Sequence, residues 1–223
     1  MRNRYSMDGE AEFSWKGGSA KVSRKSLFDE SPSTLSLPSG ESAHIVAGSR
    51  GAELCVTRTE NARRFPCRFW SAAECRSELR GKGTMNETST RIVRTVFDDS
   101  NAKESNLVIG EVVGMPGRWS SYPPHHHPQP EIYHYRFLPE QGFGLTIIGD
   151  EPCVLHHRDT VLIREGQIHP HVTAPGYAIW YLWVIRHLDG RRYITPIFVP
   201  EHKWVSEPDA PIWSLESGEG AKR

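Results

Sequence analysis

Short β-type segments separated by turn residues constrain the fold of this chain more than any other feature. In its second half, apolar and β-branched residues recur in short runs, and the chain's 16 prolines and 19 glycines supply turns between them. The runs cover residues 106–113, 131–137, 144–148, 160–164, 177–185 and 191–199. This pattern predicts an all-β protein that closes as a sandwich or a barrel.

The chain divides into four parts by composition. Residues 1–25 are polar and rich in Gly, Ser and Lys, so we expect this part to be poorly ordered. Residues 26–80 combine a few β-like stretches with a connector, which predicts a partial sheet that leans on the rest of the protein or on a second copy. Residues 81–205 carry the regular strand pattern, and residues 206–223 are expected to form a tail.

Charge and cysteine usage exclude several classes of protein. The 223 residues include 27 basic and 27 acidic side chains, so the formal net charge is zero and the basic surface of a nucleic-acid-binding protein is not expected. No apolar run approaches the roughly 20 residues that span a membrane. A small molecule is therefore the expected partner, with neither nucleic acid nor membrane.

Cysteine spacing and the first residues favour a reducing cytoplasm. The four cysteines are far apart and form no CxxC pair, which argues against a disulfide framework and a thiolate zinc site. The first 15 residues contain no apolar signal core. We therefore expect a cytoplasmic protein.

Histidines concentrate the expected chemistry in the second half. Of the 11 histidines, ten lie between His125 and His202. His125 and His127 are two residues apart, so in an extended strand both imidazoles lie on one face. Glu131 follows, and two imidazoles with a carboxylate suit a divalent ion such as zinc, iron or manganese. The segment predicts three metal ligands.

His169 is the best candidate for a fourth ligand. Gly166 permits a tight turn just before it, and the histidine would be the first inward residue of the next strand. His171 shares a face with His169 and is an alternative ligand. The other interpretation of the first histidine cluster is a solvated loop, and the remaining histidines nearby are expected to face outward or lie in loops: His126, His134, His156 and His157.

These four candidate ligands follow the pattern HxH(x)3E and GxxH, which resembles the two-part metal motif of the cupin family. Longer strings resemble a narrower family, the 5-deoxy-glucuronate isomerases of myo-inositol catabolism, which is similar in turn to the uronate ketol-isomerases. The strings are GRWSSYPPH at 117–125, EIYHYR at 131–136, PEQGFG at 139–144 and HPHVTAPGY at 169–177. Shorter matches are RGKGT at 80–84 and PEHKW at 200–204.

The resemblance implies a bicupin relative. It predicts a metal-binding cupin barrel, a double-stranded β-helix, at residues 81–205, and an incomplete cupin-like β domain before it. It also implies an aldose–ketose isomerisation of 5-deoxy-glucuronate to 5-dehydro-2-deoxy-gluconate without a redox partner. The implied cofactor is one divalent metal ion, zinc or manganese, with iron as an alternative.

Strand alternation suggests which side chains surround the metal. Counting from Glu131, residues Tyr133, Tyr135 and Phe137 share the metal face. Tyr135 or a metal-bound water is the predicted proton-transfer group, and Glu131 is predicted to be catalytic as well as a ligand.

The substrate carboxylate requires a cation, which an arginine supplies best. Arg136 lies in a matching string but alternates to the face opposite Glu131, so an inter-sheet ion pair is its other interpretation. Lys82 and Arg118 are the other candidates, and Gln141 is predicted to line the mouth of the pocket.

Two other functions remain open at this stage. The same ligand set suits an iron-dependent small-molecule dioxygenase, and a cupin can also bind a sugar acid without turnover. The incomplete first domain would leave strand edges unpaired, so we expect a homo-oligomer.

Overall fold

Antiparallel strands dominate the computed structural model, which describes residues 1–213. The all-β prediction is confirmed, since the helices are single turns. They comprise α1 (Pro200–Lys203) and 3-10 helices at Ala72–Glu74, Met85–Glu87 and Trp204–Ser206. No helix within residues 1–213 combines the length and apolarity needed to cross a membrane.

The N-terminal part is a single five-stranded sheet rather than a closed barrel, as expected for an incomplete first domain. Its central strand is β1, which pairs with β4 on one edge and with β2 and β3 on the other, while β5 extends β3. The strands are β1 (Arg2–Trp15), β2 (Gly18–Arg24), β3 (Thr34–Leu37), β4 (Ala43–Arg58) and β5 (Arg68–Trp70).

The expectation of poor order for residues 1–25 is wrong. These residues form the β1–β2 hairpin, because apolar side chains at alternate positions of β1 all face the core. The buried side chains include Tyr5, Met7, Ala11 and Phe13. Polar residues between them make the composition look hydrophilic although one face of the strand is apolar.

The C-terminal part is a two-sheet barrel. Its six-stranded sheet has the order β14-β11-β16-β8-β7-β6, and its four-stranded sheet has the order β13-β12-β15-β9. The strands are β6 (Arg76–Arg80), β7 (Arg91–Phe97), β8 (Leu107–Gly114), β9 (Trp119–Ser120), β10 (His125–His126), β11 (Glu131–Leu138), β12 (Phe143–Ile148), β13 (Glu151–His156), β14 (Thr160–Ile163), β15 (His171–Thr173), β16 (Ala178–Arg186) and β17 (Ile197–Phe198). After β8 the chain passes repeatedly between the two sheets, as in the cupin double-stranded β-helix.

Two boundaries differ from the sequence analysis. Strand β6 lies within the predicted N-terminal unit at 26–80, yet it pairs with β7 and extends the barrel sheet. The run at 191–199 contributes only β17, a two-residue strand that pairs with β10. Residues before β17 form a loop over the barrel instead. The predicted tail reaches beyond the described part, since residues 214–223 lie outside it.

A buried carboxylate joins the N-terminal sheet to the outer face of the barrel sheet. Glu111 of β8 is fully buried and accepts hydrogen bonds from Arg24 at 2.7 Å, Arg94 at 2.8 Å and Trp180 at 2.9 Å. The hydroxyl of Tyr5 also donates to it. Apolar side chains from both parts surround this network, including Met1, Met7, Trp70, Phe97, Ile109 and Leu182. The two parts therefore share one apolar cluster, beside a separate cluster in each part.

Candidate metal centre and cavity

A proline-rich segment brings the first histidines to the start of a barrel strand. Pro123 and Pro124 precede β10, and Pro128 and Pro130 separate it from β11. Proline restricts the backbone, so this turn is stiff. Glu131 then opens β11 with its side chain inside the barrel, where it is 4% exposed. Ligands close in sequence thus converge without a long loop.

Three of the four predicted ligands form one compact buried cluster. One donor atom from each of His127, Glu131 and His169 lies within 4.8 Å of the other two. The His127 Nε2 is 3.0 Å from Glu131 Oε2, and the His169 Nε2 is 3.5 Å from the same oxygen. All three side chains are buried. Such a set can hold a divalent ion.

His125 lies beside this cluster rather than within it. Its ring centroid is 4.8 Å from that of His169, with the rings nearly perpendicular. The side chain is half-buried at the edge of the barrel, where β10 meets β17. Its role as the fourth ligand stays a prediction.

Hydrogen bonds to the backbone orient all three imidazoles in the same way. The Nδ1 atoms of His125, His127 and His169 lie 3.1, 2.8 and 3.0 Å from the carbonyl oxygens of Pro123, Gln129 and Gln167. Each Nδ1–H therefore donates outward and leaves an Nε2 lone pair free. This is the usual arrangement of metal-binding histidines.

Burial favours the neutral form of two of these imidazoles, those of His125 and His169. It lowers the pKa of His125 to about 3, with the charge of nearby His169 as the next cause. Burial also lowers the pKa of His169, although Glu131 opposes this effect. The buried His169 Nε2 has no hydrogen-bond partner among residues 1–213. A free His169 Nε2 beside His127 and Glu131 is what a bound metal ion would require. The residues present therefore suit the divalent ion that the sequence predicts.

A cavity of about 730 Å³ opens onto this cluster. His125, His127 and Glu131 lie on its wall together with hydroxyl groups from the barrel interior. The Tyr133 hydroxyl is 3.0 Å from Ser121 Oγ, and the Tyr181 hydroxyl is 2.6 Å from Ser120 Oγ. The cavity is therefore polar next to the cluster, which suits a hydroxylated ligand.

The predicted alternation along β11 is confirmed, but Tyr135 lies deeper than the cavity. Tyr133, Tyr135 and Phe137 all pack in the barrel core on the side of Glu131. The Tyr135 hydroxyl is buried without a partner among the described residues, next to His171. Tyr133, by contrast, lines the cavity. His171 is also fully buried and lies outside the His127–Glu131–His169 cluster.

The structure does not bring the four predicted substrate-binding side chains to this cavity. Arg136 faces the N-terminal sheet and pairs with Glu53 of β4, which is the inter-sheet ion pair of its other interpretation. Lys82 and Gln141 are exposed in turns, and Arg118 lies 3.9 Å from Glu87. Arg136 belongs to the same strand as Glu131, but its side chain lies on the opposite face of that strand and points away from the cavity.

Several cavity residues escaped the sequence analysis. Arg91 and Tyr181 point inward from β7 and β16, and Tyr193 lies 4.9 Å from His127 between ring centroids. Four of the seven residues in the string RIVRTVF at 91–97 are β-branched, which is the signal that could have revealed β7. Tyr193 lies in the loop that the sequence analysis took for a strand.

Comparison with known proteins identifies the family. The family model described as the KduI/IolB family matches residues 6–205. The chain belongs to this family. Among curated relatives of this KduI/IolB chain, the 5-deoxy-glucuronate isomerase of Halalkalibacterium halodurans is 28% identical over 200 residues, covering 82% of this chain and 71% of the relative. The enzyme of the same name from Geobacillus thermodenitrificans is 29% identical over 204 residues, covering 82% and 70%.

Solved structures agree with the family assignment. An IolB-like protein from Salmonella typhimurium LT2 superposes with a TM-score of 0.82 at 26% identity, covering 92% of this chain and 82% of that one. AerE from Microcystis aeruginosa has a TM-score of 0.58 at 13% identity, covering 83% and 78%, and so shares the fold alone. The predicted resemblance is confirmed, and this KduI/IolB member is an isomerase.

Proposed function

We propose that this isomerase is metal-dependent and converts 5-deoxy-glucuronate to 5-dehydro-2-deoxy-gluconate. One observation carries the proposal: the Nε2 atoms of His127 and His169 converge with the Glu131 carboxylate beside a cavity whose lining includes the hydroxyl-bearing residues Ser121, Tyr133 and Tyr181. The name of the curated relatives supports the choice of substrate.

His127, Glu131 and His169, with His125 as the fourth ligand, would hold one zinc or manganese ion. A bound divalent ion supplies a Lewis acid that stabilises negative charge on the two oxygens of the reacting carbons. The barrel contributes a fixed ligand geometry, since each imidazole is held by a backbone carbonyl.

The isomerisation needs no external oxidant or reductant. The carbon next to the aldehyde and its hydroxyl oxygen each lose a proton, which leaves the ketone, while the aldehyde carbon and its oxygen each gain a proton, which gives a primary alcohol. The protein therefore has to hold the two neighbouring oxygens, move a proton between two carbons and exclude bulk water. The burial of His127, Glu131 and His169 supports the last requirement.

Tyr133 is the better placed of the two β11 tyrosines for proton transfer. Its hydroxyl faces the cavity and bonds to Ser121, and burial raises its pKa well above 10, so it is a neutral proton donor. We expect Tyr133→Phe to lower kcat by about 100-fold, and Tyr135→Phe to have a much smaller effect. Turnover rates followed by NMR, with metal content checked in both variants, test this. The opposite order would assign the role to Tyr135.

Product analysis under nitrogen tests the proposed reaction. Purified protein is incubated with 5-deoxy-glucuronate, and NMR follows loss of the aldehyde signal and growth of the ketone product. We expect turnover without oxygen and without a nicotinamide. Substrate consumption only in air would indicate the dioxygenase, and binding without any conversion would indicate a cupin that holds a sugar acid.

Two expectations from the sequence stay predictions. The four cysteines, Cys55, Cys67, Cys75 and Cys153, are all free, which fits the reducing cytoplasm in which we propose that the enzyme works. Light scattering of the purified protein would test for the homo-oligomer.

A further inference from the structure

Arg91 differs from every other buried arginine of residues 1–213. The buried arginines in this part of the chain are Arg24, Arg91, Arg94 and Arg136. Arg24 and Arg94 pair with Glu111, and Arg136 pairs with Glu53. No carboxylate of the described residues lies within 4.0 Å of Arg91. A buried cation without a counterion is costly, so its retention calls for an explanation.

One edge of the Arg91 guanidinium, formed by Nε and Nη2, is available to a ligand. Its Nη1 donates to the Ser89 carbonyl at 2.7 Å and to Ser89 Oγ at 2.9 Å. Those are its only hydrogen bonds to residues 1–213, so Nε and Nη2 have no protein acceptor there. Ser89 thus fixes one side of the group. The free edge presents the donor pair that a carboxylate binds with two parallel hydrogen bonds.

This group lines the same cavity as the candidate metal ligands. Arg91, Val93 and Thr95 of β7 line the same cavity as His127 and Glu131. Burial lowers the pKa of Arg91, and among its neighbours Tyr181, Tyr133 and Glu78 raise it. None of the carboxylates of residues 1–213 forms an ion pair with it. A sugar acid in this cavity can therefore contact both a buried cation and the candidate metal ligands.

We propose that Arg91 binds the carboxylate of the substrate and so selects sugar acids over neutral sugars. This inference rests on the proposed function and names the residue behind its specificity. Two other cations line the cavity: Lys103, which is exposed, and Arg80, which is 54% exposed and pairs with Glu78. Solvent screening weakens the claim of both on an anion, and the ion pair weakens that of Arg80 further.

Specificity can be separated from catalysis by comparing the binding of a charged sugar acid with that of its neutral amide. Calorimetry with D-glucuronate and D-glucuronamide, which differ only in charge at the carboxyl end, is performed on wild type, Arg91→Gln, Arg91→Lys and Arg80→Gln. We expect wild type to prefer the acid by about 10- to 100-fold. Arg91→Gln should lose this preference while keeping its metal, Arg91→Lys should keep part of it, and Arg80→Gln should retain it.

Kinetics complete the test. In Arg91→Gln, KM for 5-deoxy-glucuronate should rise about 10- to 100-fold, with a smaller change in kcat. An unchanged acid preference in Arg91→Gln or Arg91→Lys, or its loss in Arg80→Gln instead, would overturn the proposal. Should wild type bind glucuronate selectively but not isomerise 5-deoxy-glucuronate, the proposed reaction fails while the role of Arg91 stands. Arg91→Lys keeps the charge and serves as the test if Arg91→Gln does not fold.

Discussion

Replacing His169 with alanine is expected to remove both bound metal and turnover. His169 is 1% exposed, and its Nε2 points at the Glu131 carboxylate without another partner in the described part of the chain. Even residues that only orient metal ligands change affinity by 10- to 100-fold, so loss of this ligand should cost more than about 100-fold. Metal content by mass spectrometry and product formation by NMR measure the two effects.

His156→Ala is the matched control, because its imidazole is 66% exposed at the end of β13. It should keep metal and activity at the wild-type level. If folded His169→Ala keeps its full metal content, His169 is not a metal ligand. That result would favour His171 as the ligand, since that side chain is also buried with an unpartnered Nε2 among residues 1–213.

The second large effect is expected from Glu111→Gln, which should destabilise the fold without altering the cavity. The substitution keeps the shape of the side chain but removes the only carboxylate that Arg24 and Arg94 share among residues 1–213. Two buried cations would then face each other uncompensated, at a cost of roughly 3–5 kcal/mol. The free energy of unfolding from urea titration, followed by circular dichroism, checks this value.

Glu10→Gln provides the contrast, because Glu10 and its partner Arg50 are both exposed. That pair should contribute less than about 1 kcal/mol. Equal, small losses in the two variants would mean that the Glu111 network does not hold the N-terminal sheet to the barrel.

Ligands close together in sequence were the part of the site that could be predicted. His125, His127 and Glu131 fall within seven consecutive residues, so strand geometry alone relates them. His169 became recognisable through the turn at Gly166 and the resemblance to a family motif.

Groups defined by distant contacts could not be predicted in this way. Glu111 meets Arg24 across 87 residues of sequence, and nothing local marks either as buried. Arg91 was missed because its strand was not recognised. Strand alternation already placed Arg136 on the face opposite Glu131, but its partner Glu53 lies in a distant strand of the N-terminal sheet and could not be identified from the sequence. The N-terminal hairpin was missed because alternation hides an apolar face within a polar composition.

Metal dependence of wild-type turnover tests the central claim most directly. The purified protein is analysed for metal, stripped with a chelator, and assayed with 5-deoxy-glucuronate under nitrogen before and after addition of zinc or manganese. We predict about one ion per chain, loss of ketone formation on stripping, and recovery when the ion returns. A folded protein that binds no metal, or that isomerises the substrate equally well without it, would contradict the account.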